Sequence, residues 1–138
     1  MSAPVFEVRV AVRSYELDAY AHLNHAVFLN YFEHGRFQAL RQGGFTPEEF
    51  QRRGEAVHVV RVEVDYRREA LLDRELLIRT RVEEVRNSSM SLLQAAVDPV
   101  DPEQVFAEAR VVVVWIGADG RPARIPDDAR RALGLEDD

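Results

Sequence analysis

The stretch HAVFLNYFEHGRFQALRQ, residues 25–42, constrains this chain more than any other. Asn24 just before it is a favourable helix N-cap, and Gly43-Gly44 just after it ends a helix, so the spacing predicts one long helix. Its first two turns are apolar on nearly every side, with Ala26, Val27, Phe28, Leu29, Tyr31 and Phe32. Such a helix is expected to be covered on several sides, not laid on a surface by one stripe. Gly35 within it costs about 1 kcal/mol of helix propensity against Ala. Close approach of a neighbouring backbone is the expected compensation.

Strands must supply the cover. Residues 5–13 alternate in part and read as a first strand. A short helix opens at TPEEF, with Thr46 as N-cap, Pro47 at N1 and Glu49 completing a capping box. In 58–66, His58, Val60, Val62, Val64 and Tyr66 alternate with Arg61, Glu63 and Asp65, which predicts one dry face and one wet. ELLIRTRVEEV (75–85) and SMSLLQAAV (89–97) are joined by a turn at Arg86-Asn87-Ser88. DPVDPE (98–103) is a loop, and the strand 104–116 carries Ala107, Ala109, Val111, Val113 and Trp115 on one face. A terminal helix over 126–133 ends at Gly134. Strands without intervening helices make an antiparallel sheet and an α+β class. The expectation is a single domain, residues 1–138, with one sheet curled around one helix; its length suffices for a real core.

Composition removes several function classes. A net charge of -6 argues against a general nucleic-acid binder. There is no cysteine, which excludes disulfides, thiolate chemistry and Cys-based zinc sites. MSAPVFEVRV lacks the basic-then-apolar order of a signal peptide, and no apolar run approaches the roughly 20 residues that span a bilayer. A cytoplasmic protein without membrane insertion is expected.

Chemistry-bearing residues gather in DAYAHLNHAVF (18–28), where Asp18, His22, Asn24 and His25 stand just ahead of the helix. Taken singly, each has a plain reading. Asp18 is a loop residue or an acid-base group, and His25 at N1 either packs or reacts. His22 is a structural hydrogen-bonder and Asn24 the N-cap. Glu33 and Arg36 are three apart and are expected to pair as ions. His22-x-x-His25 has a metal-like spacing, but Asp18 is the one candidate third ligand nearby, so no metal is expected. His34 and His58 read as surface or core histidines. Ser88, Ser89 and Ser91 lack the G-x-S-x-G context of a serine hydrolase.

The element order, with DAYAHLNHAVFLNYFEHGR at its front, resembles the hotdog fold of the 4-hydroxybenzoyl-CoA thioesterase-like superfamily. Relatives read D-x-x-G-H-V-N-N-x-x-Y-x-x-x-x-E-x-x-R there, and Asp18, His22, Leu23, Asn24, Phe28, Glu33 and Arg36 hold the matching places. Asp18 with His25-Ala26 also matches the spacing of the Tol-Pal-associated acyl-CoA thioesterases. VDYRREALLDREL (64–76) is similar to V-x-Y-x-x-P-A-x-x-x-D, and RNSS (86–89) to the loop before the fourth strand. Three places depart from the pattern. Ala21 stands for the glycine, Glu69 for the proline, and Ser14 for the Tol-Pal branch's tyrosine, with Tyr15 one step out.

The resemblance implies an acyl-CoA thioesterase that needs no cofactor, coenzyme A being part of the substrate. It implies Asp18 as general base or nucleophile, and the N–H of His25 or its neighbour as oxyanion donor. The His25 side chain would add a hydrogen bond or help the thiolate leave. A helix start presents unpaired N–H groups at the positive end of its dipole. One such donor contributes about 3–4 kcal/mol to the transition state. His22, Asn24, Ala26, Phe28, Tyr31 and Phe32 would contact substrate. Arg86, Asn87, Ser88 and Ser89 would hold the phosphates, with Arg67-Arg68 and Arg121-Arg124 as further candidates. A homodimer or homotetramer is implied, with the site at the joint between protomers. Two other readings stay open: a hotdog dehydratase or hydratase of 3-hydroxyacyl thioesters, and a non-catalytic acyl-CoA-binding protein.

Overall fold

The computed structural model describes residues 4–135. Strands β1 (Phe6–Ala11), β2 (Ala56–Tyr66), β3 (Glu75–Val85), β4 (Ser89–Val97) and β5 (Val105–Ile116) form an antiparallel sheet in the order β1-β3-β4-β5-β2. With them are α1 (His25–Gln42), α2 (Pro47–Arg53), α3 (Asp127–Ala132) and a 3-10 turn, Ser14–Glu16. β1 and β2 are opposite edges, so the chain between them crosses the sheet, and α1 packs on its inner face as it does so.

The core lies between α1 and that face. Leu76, Ile78 and Val82 of β3, Met90, Leu92 and Ala96 of β4, and Val111, Val113 and Trp115 of β5 are buried against Phe28, Phe32, Ala39 and Leu40 of α1. Each large apolar side chain so placed contributes about 1.5–3 kcal/mol. Phe45, Phe50 and Trp115 meet edge-on or tilted at ring distances of 4.8, 5.5 and 5.2 Å and seat α2.

Five expectations change at this level. The long helix is covered on one flank: Phe28, Tyr31, Phe32, Gly35, Ala39 and Leu40 are buried, whereas Ala26 and Leu29 are exposed. One sheet has one inner face, and no described element closes over the other side of α1. Gly35 is explained by side chains and not by backbone: an added Cβ would lie 2.8 Å from Ile78 Cγ2 and 3.0 Å from Thr80 Oγ1. The alternation of β2 breaks at a bulge between Val59 and Arg61. Val57 and Val59 stand opposite Trp115 and Val113, but past the bulge it is Val62 and Val64 that stand opposite Val111 and Ala109. The inward face thus changes from odd to even residues, and Val60 is 61% exposed.

Thr46 makes no side-chain cap; Glu49 turns instead to Arg52 and Arg53, at 2.7 and 3.1 Å, because two cations outcompete a neutral amide. Glu33 and Arg36 form no ion pair within 4 Å. Arg36 leans onto the sheet, where its Nη1 donates to Gln94 Oε1 at 3.0 Å, while Glu33 stays exposed. Gln94 Nε2 donates in turn to the Phe32 carbonyl and to Thr80 Oγ1, both at 2.8 Å, so this polar spot in the core is paired.

Candidate active site

The loop into α1 is held at both ends. Glu16 is buried, and its Oε1 accepts the Arg13 N–H at 2.9 Å and the Tyr31 hydroxyl at 2.6 Å. Burial, reinforced by that bond, pushes the Tyr31 hydroxyl well above the usual tyrosine range. The Glu16 carbonyl accepts the Asn24 N–H at 3.0 Å, and Leu17 bridges Leu23 antiparallel. Residues 18–22 close into a tight loop: the Asp18 N–H donates to the His22 carbonyl at 2.8 Å and the Ala21 N–H to the Asp18 carbonyl at 3.1 Å. Ala21 takes φ 63°, the left-handed region that glycine occupies freely, which explains a glycine in relatives at this place.

Asp18 Oδ1 accepts the N–H groups of Tyr20 and His22 at 2.9 and 3.1 Å. Its Oδ2 has no hydrogen-bond partner among the described residues. The His22 N–H above all, then that of Tyr20 and the nearby histidine charges, hold the carboxyl below the usual aspartate value of 3.8. Asp18 is therefore an anion at neutral pH. At the helix start, Asn24 Oδ1 accepts the Ala26 N–H at 2.9 Å, and the Asn24 carbonyl accepts that of Val27 at 2.9 Å. The His25 N–H is left without an acceptor among the described residues. It is a donor at the positive end of an 18-residue helix.

Asp18, His22, His25 and Phe28 line one open cavity of about 1210 Å³ with Tyr66, Arg67, Arg68, Glu69, Leu71, Leu72, Arg74, Gln104 and Phe106. Tyr66 ends β2; its hydroxyl donates to the His25 carbonyl at 2.7 Å, and its ring meets His25 and Phe28 edge-on at 6.1 and 5.7 Å. His22 Nε2 lies 2.7 Å from Glu69 Oε2 and ties the loop to the opposite wall. Leu23 anchors the same wall through its N–H, which donates to the Ala70 carbonyl at 2.8 Å. Among the described residues no group of three or more His, Cys, Asp or Glu side chains could hold a metal ion. No helix among them is long and apolar enough to cross a membrane.

A loop carboxylate beside a helix start, inside a sheet wrapped on that helix, is an arrangement with known counterparts. The profile of the thioesterase-like superfamily matches residues 12–133. The chain belongs to that superfamily. It is 32% identical over 114 residues to the long-chain acyl-CoA thioesterase FadM of Escherichia coli, covering 80% of this chain and 82% of FadM. It is 27% identical to the chloroplastic acyl-acyl carrier protein thioesterase ATL3 of Arabidopsis thaliana, covering 90% of this chain but 65% of that protein's length. A thioesterase of Thermus thermophilus, solved with coenzyme A and Zn, superposes with a TM-score of 0.78 at 31% identity over 93% of this chain and 90% of that one. These relatives are thioesterases, and with the fold they support thioester hydrolysis as the superfamily member's activity. The match does not resolve the Tol-Pal-associated branch.

Other predicted contact residues of this superfamily member lie elsewhere in the chain. Ala26 is exposed at the helix start, and Tyr31 is buried against Glu16. Phe32 lines a separate groove beside β2 with Leu29, Val59 and Val62. Arg86 and Ser89 border a hollow of about 220 Å³ at the β3–β4 turn. There Glu84 Oε1 accepts from Arg86 Nε at 2.8 Å, and the Asn87 carbonyl accepts from Ile125 and Arg130. The Ser88 carbonyl accepts the Trp115 N–H at 2.7 Å. Arg68, expected as a further phosphate candidate, lies on this cavity, whereas Tyr66, Glu69 and Phe106 carried no expectation as site residues. Their signal lay in the similarity of 64–76, whose loop forms the far wall of the cavity.

Proposed function

We propose that the chain hydrolyses acyl-CoA to a free carboxylic acid and coenzyme A in the cytoplasm, without a cofactor. One observation carries the reading: an ionised carboxylate with a spare oxygen and an unpaired helix-start amide border the same cavity. In this scheme the thioester carbonyl oxygen lies on the His25 N–H, where charge develops. Asp18 acts through Oδ2 as general base on a water or as nucleophile on the carbonyl carbon. The C–S bond breaks as water adds to the carbonyl carbon, either directly with Asp18 taking its proton or after Asp18 has formed an acyl anhydride that water then cleaves; water supplies the hydroxyl of the acid, and its proton goes to the thiolate. In the same scheme the His25 side chain assists the departing sulfur. Tyr66, bonded to the His25 carbonyl, and Asn24, the N-cap, keep the first turn in place. His22 and Phe28 line the wall against which the thioester rests.

We further propose that the working unit is a homodimer or a multiple of it. Leu29 and Phe37 on the uncovered flank of α1 and Val59, Val60 and Val62 on the unpaired edge β2 are large apolar side chains left exposed together. The test of the activity is release of free CoA from a panel of acyl-CoA substrates, read with a thiol reagent. Hydrolysis that falls at least 100-fold in Asp18→Asn is expected, the order of effect for a lost acid-base group. Release that survives the substitution sinks the assignment of Asp18. Hydration of enoyl-CoA would support the dehydratase reading, and binding without release the non-catalytic one.

A further inference from the structure

Three arginines line the cavity of Asp18, and their partners differ. Arg74 is committed: its Nη2 lies 2.5 Å from Asp98 Oδ2, and its guanidinium covers the Phe106 ring at 5.0 Å. Arg67 is partly neutralised by Glu108 at 3.4 Å and Asp65 at 4.0 Å. Arg68 has no carboxylate within 4 Å among the described residues. Its Nη1 donates to the neutral Gln104 Oε1 at 2.9 Å, and the rest of the fork is unengaged. The backbone beneath is rigid, since the N–H groups of Arg67 and Arg68 both donate to the Phe106 carbonyl, at 2.8 and 3.1 Å. Gln104, on the same wall, offers its amide nitrogen as a second donor.

In a chain of net charge -6, a guanidinium that borders the cavity and pairs with no carboxylate within 4 Å, although Glu69 and Asp73 line the same cavity, is a place for an anion. The cavity's volume exceeds the roughly 1,000 Å³ at the top of the usual small-molecule range. It therefore has room for more than an acyl group. Thioester carriers share one anion on the sulfur-bearing arm: the phosphate that ends phosphopantetheine, present in coenzyme A and on acyl carrier proteins. We propose that Arg68, steadied by Gln104 and flanked by Arg67, holds that phosphate in the cavity that Asp18 also lines. The proposal rests on the thioesterase reading for the substrate but assigns a contact the sequence reading placed first at Arg86.

Calorimetry on the intact protein with 4′-phosphopantetheine and with pantetheine tests it. Arg68→Ala should weaken the phosphorylated probe roughly tenfold, about 1.4 kcal/mol, and leave pantetheine unchanged. In turnover the same variant should raise KM for acyl-CoA with kcat kept, and Arg68→Lys should recover part of the loss. An equal KM penalty with the same acyl group on a carrier protein supports the shared phosphate. A penalty with acyl-CoA alone moves the contact to the nucleotide and overturns the proposal. Equal weakening of both probes, or a phosphate-selective loss in Arg86→Ala and none in Arg68→Ala, also overturns it. Because the calorimetric arm needs no hydrolysis, it stands apart from failure of the thioesterase reading.

Discussion

Asp18 commits one oxygen to its own loop and keeps the other free, and this division sets its pH behaviour. The N–H bonds that lower its pKa exist in the folded loop, so the folded value lies below the unfolded one. Asp18 therefore adds stability above the unfolded value, and that contribution is lost as pH falls through the folded value. The anion that the proposed hydrolysis uses persists over the same range. The acid limb of kcat/KM is expected below pH 3.8, with no loss from this group on the neutral side. A pH-rate profile measured while circular dichroism shows the chain folded checks this; a limb centred near 6 would assign the titration to another group. The lowered pKa also weakens Asp18 as a base, while assuring its full ionisation as a nucleophile. Ala21 bears on the same loop, since its φ of 63° costs an alanine about 1 kcal/mol that a glycine would not incur.

At the scale of elements, α1 lies close on the sheet because Gly35 leaves room for Ile78, Thr80 and Gln94. Helix propensity alone would favour alanine there by about 1 kcal/mol. Packing decides the other way, because the added Cβ would meet a branched side chain at 2.8 Å. Gly35→Ala is expected to destabilise by about 1–3 kcal/mol, the usual cost of overpacking, as read by denaturant unfolding. A gain in stability would show that α1 can lift from the sheet at no cost. The shift would extend to Arg36 and Gln94, whose bond and Thr80 contact lie beside that point. The β2 bulge works at the same scale: it sets Val62 and Val64 opposite Val111 and Ala109 and carries the strand to Tyr66, whose hydroxyl reaches the His25 carbonyl.

For the whole molecule, the consequence is an open side. β2 presents eleven residues whose outer edge pairs with no described strand, beside exposed Leu29 and Phe37. A second protomer adding its own β2 would pair both edges and bury both patches. Light scattering is expected to give a dimer or larger. Val60→Lys should shift the mass toward the monomer by placing a charge on that edge. It should also reduce turnover, since β2 carries Tyr66 to the site. A monomeric wild-type protein with full activity would remove the proposal.

What the amino-acid order determined by itself is local and periodic. The bounds of α1, β3 and β4 were legible to the residue because caps, turns and repeat spacing act over a few positions. Asp18, Asn24 and His25 were legible as a cluster because a short stretch of chain holds them all. The phase of β2, the partner of Arg36 and the far wall of the cavity were decided by tertiary structure. A bulge shows in no alternation pattern, and Arg36 meets Gln94 58 positions away. Arg68 meets Gln104 across 36 positions, where β2 lies along β5. Such contacts follow from which strands pair, and pairing minimises the free energy of the whole chain, not of any one segment.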